Sequence, residues 1–263
     1  MGSYFLQLIL NPTIMQALKT HQTIVEDYKS YLNSFANISD PRIRETVQDA
    51  FKRGLFLPEP LLQFNPSFEQ GESLQELETQ GLIHADLKKI FGSYKLYYHQ
   101  VEAIKKGING EGFIVTSGTG SGKSLTYLAS IFNNILDKGH SDGVQAIIVY
   151  PMNALINSQE EEIRKYEINY LKSFVPNLPP EVLDEKSPEE ALALLKTMTA
   201  QRFPVSYAKY TGQEQGEVRE KVRETRPSVI LTNYMMLELI MTRNGEGWLR
   251  EAMRKNLEYL VFD

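Results

Sequence analysis

From Gly112 onward, apolar runs of strand length alternate with stretches of helical periodicity. "GFIVTS" (112–117) precedes "LTYLASIFNNIL" (125–136), and "VQAIIVYP" (144–151) precedes "NALINSQEEEIRKYEINYL" (153–171). "PVSYAKYTG" (204–212) and "PSVILTN" (227–233) lead to "YMMLELIMTR" (234–243), and a last apolar run reads "LEYLVFD" (257–263). Short, nearly continuous apolar runs suit strands buried on both faces. Their interleaving with helices predicts an α/β fold, a parallel sheet with helices on both faces. Before residue 91 the texture is different. Helical patterns over 11–35 and 40–54, the second with Asp40 and Pro41 as its start, are followed by the turn-rich "LPEPLLQFNPSFEQGES" (57–73). The expected organisation is a mostly helical accessory region over 1–91 and an α/β domain over 92–263. A charged helical pattern, "SPEEALALLKTMTAQRF" (187–203), marks a helical insertion near 175–203.

Composition narrows the chemistry. The 263 residues are 42% hydrophobic, enough to bury the core of one or two domains. There is no cysteine, which excludes disulfides, thiolate metal sites and cysteine nucleophiles within the sequence. His21, His84, His99 and His140 lack metal-ligand spacing. "MGSYFLQLILNPTIMQ" has no basic leader, and no window approaches the ~20 apolar residues of a membrane helix, so a cytoplasmic protein without a membrane partner is expected. A formal net charge of −5 argues against a surface coated with basic residues for duplex DNA, while a local basic groove stays compatible with it.

The stretch "SGTGSGKS", Ser117 to Ser124, lies between the predicted strand and the helical pattern that follows it. That is the context of a phosphate-binding P-loop. Bare glycines let backbone N–H groups crowd round phosphate oxygens, and the helix N-terminus adds its positive dipole end. Ser117, Gly118, Thr119, Gly120, Ser121, Gly122, Lys123 and Ser124 form the expected cradle for ATP. Lys123 would neutralise the β- and γ-phosphates, and the Ser124 hydroxyl would take one position on Mg²⁺. The strict pattern has glycine where this sequence has Ser117.

These residues resemble the P-loop of superfamily 2 DEAD/DEAH-box ATP-dependent helicases, which commonly starts on a small non-glycine residue and reads TGSGK, as Thr119 to Lys123 do. "LYYHQVEAI" resembles the segment in which a glutamine reads the adenine edge, and Gln100 is the matching residue. "YPMNALINSQ" resembles motif Ia, implying that Pro151 and Asn153 meet a nucleic-acid backbone, although most members carry Thr-Arg where this chain has Met152 and Asn153. "YTG" implies a backbone approach at Gly212, and "ILTNYMMLE" resembles motif Ib, implying contacts from Thr232 and Asn233. "LEYLVFD" resembles the opening of the Walker B strand, with Asp263 as the Mg²⁺-anchoring and catalytic aspartate beside Lys123.

In the family the next residue is normally a glutamate that orients the attacking water, and a second RecA-like domain supplies arginine fingers. The chain is therefore expected to be the N-terminal, ATP-binding half of a helicase or translocase, inactive in turnover alone. Its expected first RecA-like domain would act on single-stranded or duplex nucleic acid, DNA in particular. The wording of "YPMNAL", "YTGQE" and "LTNYMMLE" is similar to bacterial DNA helicases of repair and phage-defence systems, which implies complex subunits as further partners. Two alternatives stay open: a P-loop enzyme that phosphorylates a small molecule, and a nucleotide-binding interaction module without turnover.

Overall fold

The computed structural model describes residues 12–35, 38–55, 68–118, 120–139, 143–179, 181–184 and 186–263. They divide into two compact units, Met1–Pro66 and Ser67–Asp263. In the first, helix α1 (Pro12–Phe35) is followed by α2 (Pro41–Lys52). The start of α2 is set as its sequence predicts. The Asp40 carboxylate accepts the Arg42 N–H at 2.8 Å, and Pro41 sits where a missing N–H costs nothing.

The second unit opens with β1 (Gln70–Ser73), α3 (Leu74–Thr79), α4 (Leu87–Phe91), β2 (Lys95–Tyr97) and α5 (Tyr98–Ile108), with β1 and β2 paired antiparallel. Leu74, Leu77, Leu87 and Ile90 are fully buried in the same apolar cluster as the α/β core. Residues 68–91, grouped with the N-terminal region in the sequence reading, thus pack within the unit that carries the sheet.

That sheet has four parallel strands, β3 (Ala146–Tyr150), β4 (Tyr207–Lys209), β5 (Val229–Asn233) and β6 (Tyr259–Phe262), in the order β4-β5-β3-β6. Ala146 lies opposite both Val229 and Tyr259, and Tyr150 opposite Asn233, so the carboxyl ends of the three longer strands line up. Alternation of side chains sends successive residues to opposite faces. Ala146, Ile148, Tyr150, Val229 and Leu231 join a core with α5, α6 (Lys123–Lys138) and α7 (Asn153–Lys172). Ile147, Val149 and Ile230 face a second core with α10 (Gly216–Thr225), α11 (Tyr234–Thr242) and α12 (Gly247–Asn256). Both faces are covered, which is why β3 reads as an uninterrupted apolar run.

The region near 175–203 holds two helices, α8 (Glu181–Asp184) and α9 (Pro188–Met198). The second is started by a capping box between Ser187 and Glu190, and it buries Ala191, Leu192 and Leu195 in the first core. One predicted element is absent. Residues 111–118 carry no strand, and Ile114 is 92% exposed. A cleft of about 530 Å³ lies between Gly112–Val115 and the outer edge of β6, lined by Phe113 and Ile114 on one side and Leu260 and Phe262 on the other. The apolar run therefore has no ladder partner within reach, and a strand exists only where its backbone groups are paired. No helix among the described residues is long and apolar enough to cross a membrane.

Candidate functional site

The glycine-rich loop opens α6 directly. Gly120 and Gly122 hold positive φ, +76° and +68°, and Gly122 is the residue that turns the chain into the helix. A Cβ at Gly118 or Gly120 would meet nothing within 4 Å, so the space beside both glycines is free, which suits a phosphate-binding loop. Lys123 reaches back across it, its Nζ donating to the Ser117 and Gly118 carbonyls at 3.1 and 3.0 Å. Ser117 is not among the positive-φ residues, so its side chain imposes no backbone strain. Its Oγ instead lies 2.5 Å from Ser121 Oγ and ties the loop across its base. The departure from glycine at the first position is accommodated in this way. Thr119, part of the expected cradle, lies outside the described residues.

Gln100 is brought to the loop and used up there. Its Nε2 donates to the Gly122 carbonyl at 3.0 Å and to the Ser121 carbonyl at 3.3 Å, while its Oε1 accepts the Tyr97 N–H at 2.9 Å. At 4% exposure it braces the loop, and in this geometry both amide hydrogens are engaged. His99 adds a contact at 3.2 Å to the Ser121 carbonyl. A shallow pocket beside the brace is lined by Tyr97, Gln100, Gly122, Ser124, Glu162 and Tyr166.

Asp263 follows the end of β6, its N–H donating to the Val149 carbonyl at 3.0 Å. The Tyr127 hydroxyl, on α6 one turn beyond Lys123, donates to Asp263 Oδ2 at 2.8 Å and lies 3.2 Å from the Tyr150 hydroxyl. Burial pushes both phenols well above their usual range, so they remain protonated donors. Among the described residues no group of three or more His, Asp or Glu could hold a metal. One hydroxyl from Ser124 and one carboxylate from Asp263 still suit Mg²⁺, which keeps most of its shell as water and substrate phosphate oxygens. Tyr127 was missed in the sequence, although its spacing from Lys123 and Ser124 puts it on their helix face.

The residues expected to meet nucleic acid sort into two kinds. Pro151 is exposed after β3, and Gly212 is exposed after β4. Asn153 Oδ1 accepts the Asn233 side-chain N–H at 2.7 Å, which links the starts of α7 and α11 at the carboxyl edge of the sheet. Asn233 also caps α11 by accepting the Met236 N–H at 2.8 Å. Thr232, by contrast, is fully buried, and its hydroxyl donates to the Tyr210 carbonyl at 2.7 Å. The structure brings Pro151, Asn153, Gly212 and Asn233 to one edge and leaves Thr232 inside.

Comparison with known proteins extends these observations. Residues 97–179 match the DEAD/DEAH box helicase family model, a stretch that contains Gln100, the whole glycine-rich loop and Asn153. The chain is 28% identical over 170 residues to an uncharacterised ATP-dependent helicase of Methanocaldococcus jannaschii, covering 65% of this chain and 20% of the relative. It is 28% identical over 232 residues to the ATP-dependent helicase hrq1 of Schizosaccharomyces pombe, covering 88% of this chain and 18% of the relative. Among solved structures it is similar to the DUF1998 helicase MrfA bound to DNA and AMPPNP, with a TM-score of 0.53 and 19% identity over 81% of this chain and 25% of that one. At that identity the likeness speaks for the fold, which is the RecA-like α/β arrangement. The chain spans a fifth or less of the length of the curated relatives it matches. The resemblance to superfamily 2 helicases is borne out.

Proposed function

We propose, from the premise that residues 97–179 are a DEAD/DEAH box helicase segment, that this chain is the Mg·ATP-binding part of an ATP-dependent helicase or translocase on nucleic acid. The observation that carries the reading is the glycine-rich loop that opens α6 at Lys123, with Lys123 and the Tyr127-held Asp263 lining one cleft. In this reading Lys123 gives up the Ser117 and Gly118 carbonyls for the β- and γ-phosphate oxygens. The N–H groups of Gly118 to Ser124 supply the remaining donors. Ser124 and Asp263 would hold Mg²⁺, which would offset the charge on those oxygens. Gln100 keeps the loop in shape from behind, and the pocket at Tyr97 and Tyr166 offers room for the base.

Phosphoryl transfer is mainly positioning and charge stabilisation, and a loop tied by Ser117–Ser121 and by Gln100 suits that task. The carboxyl edge that carries Pro151, Asn153, Gly212 and Asn233 is the proposed contact for a phosphate backbone, through backbone N–H groups and amides rather than cations. The partner is proposed to be DNA, on the wording of "YPMNAL", "YTGQE" and "LTNYMMLE". The working compartment is proposed to be the cytoplasm.

The test is anisotropy of labelled single-stranded DNA and RNA of matched sequence, with and without a non-hydrolysable ATP analogue. Tighter DNA binding in the presence of the analogue, weakened by Asn153→Ala, supports the assignment. Equal binding with and without nucleotide, unmoved by Asn153→Ala, overturns it.

A further inference from the structure

We infer that Tyr127 is a positioning residue for Mg²⁺, holding the Asp263 carboxylate so that this expected protein ligand of the metal is oriented before nucleotide arrives. The inference rests on the Mg·ATP reading of the loop and deepens it. Its basis is a chain of three side chains on three elements. Tyr150 ends β3 and is buried, Tyr127 projects from the first turns of α6, and Asp263 follows β6, the strand next to β3. The Tyr150 hydroxyl lies 3.2 Å from that of Tyr127, and the Tyr127 hydroxyl donates to Asp263 Oδ2 at 2.8 Å.

A phenol has one proton. With the Tyr127 proton spent on Asp263, Tyr150 must be the donor in the pair, and its donation fixes which way the Tyr127 proton points. Oδ2 is thereby tied down, and no described residue donates to Oδ1. Ser124 lies three residues before Tyr127 on α6, so one helix carries the expected hydroxyl ligand and the group that holds the expected carboxylate ligand. A carboxylate oriented by a neighbouring donor loses less freedom when it meets a cation, and removing such donors typically weakens metal affinity.

The test is the binding of a fluorescent ATP analogue to the chain and to Tyr127→Phe and Tyr150→Phe, titrated with Mg²⁺ and repeated in EDTA. Melting temperature without ligand is recorded for each. Tyr127→Phe is expected to raise the Mg²⁺ midpoint roughly tenfold while leaving affinity in EDTA unchanged. Tyr150→Phe, which reaches Asp263 only through Tyr127, is expected to raise it less. A merely structural tyrosine would lower the melting temperature and leave the midpoint in place, and that result overturns the inference. If the unmodified chain shows Mg²⁺-dependent binding and both variants track it, the inference alone falls. If the unmodified chain binds no nucleotide, the reading of the loop falls and takes the inference with it.

Discussion

The brace between Gln100 and the glycine-rich loop makes a quantitative prediction. At Gly122, φ is +68°, a left-handed conformation that costs an L-residue about 1–2 kcal/mol. A Cβ there would also sit 2.4 Å from Gln100 Nε2. The amide must move, and its bonds to the Ser121 and Gly122 carbonyls go with it, at about 1 kcal/mol each. Gly122→Ala should therefore destabilise the fold by about 3–4 kcal/mol. Gln100→Ala loses those two bonds and the one from Tyr97 N–H, about 3 kcal/mol in all. In the double variant the methyl has nothing to displace, so only the left-handed cost of about 1–2 kcal/mol adds to the loss of Gln100. The cycle should close with a coupling of about 2 kcal/mol, the double variant being more stable than the sum of the singles implies. Urea denaturation followed by far-UV circular dichroism measures all four proteins. Additive effects, within about 0.5 kcal/mol, would refute the claim that Gln100 and Gly122 share one constraint.

Three further outcomes follow from the same geometry. Asn233→Ala removes the cap of α11 and the link to Asn153, and should cost about 1–2 kcal/mol in denaturation while weakening single-strand binding. Leu195→Ala empties a fully buried position on α9 and should cost about 2–5 kcal/mol, a loss confined to stability, with Mg·ATP affinity unchanged. The Glu190 carboxyl is held below its usual range, first by the Ser187 backbone N–H and then by the Ser187 hydroxyl. Its contribution is therefore present above the unfolded carboxyl's pKa and lost as pH falls through the lower folded one. An NMR titration should show Glu190 protonating at lower pH than an ordinary glutamate, and returning part of the way toward the ordinary value in Ser187→Ala, which keeps the backbone N–H.

Much of this was legible in the sequence where one residue decides one thing. The run Val144 to Tyr150 must be a doubly buried strand, and β3 is one. Glycines at 120 and 122 before Lys123 must turn a chain into a helix, and they do. Asp40 and Pro41 set a helix start without help from elsewhere. What stayed hidden depends on partners far along the chain. "GFIVTS" is apolar enough for a strand, yet pairing is a property of two segments, and the neighbouring edge belongs to β6 across a cleft. Thr232 and Asn233 are adjacent in the sequence, and only the pleat shows that one points inward to Tyr210 while the other reaches Asn153. The brace by Gln100 needs the loop and α5 side by side, and the Tyr127 contact needs β6 in place next to β3. Strands as short as β1 and β2 carry too few positions to display a period, and their pairing appears only in the fold.

The central claim is that the loop from Ser117 to Ser124 binds Mg·ATP through Lys123, and calorimetric titration of the chain and of Lys123→Ala with Mg·ATP tests it most directly. Lys123 touches only loop carbonyls among the described hydrogen bonds, so the substitution should leave the melting temperature nearly unchanged. The account predicts saturable binding to the unmodified chain and no measurable heat with the variant. Binding of equal affinity by both proteins would contradict it.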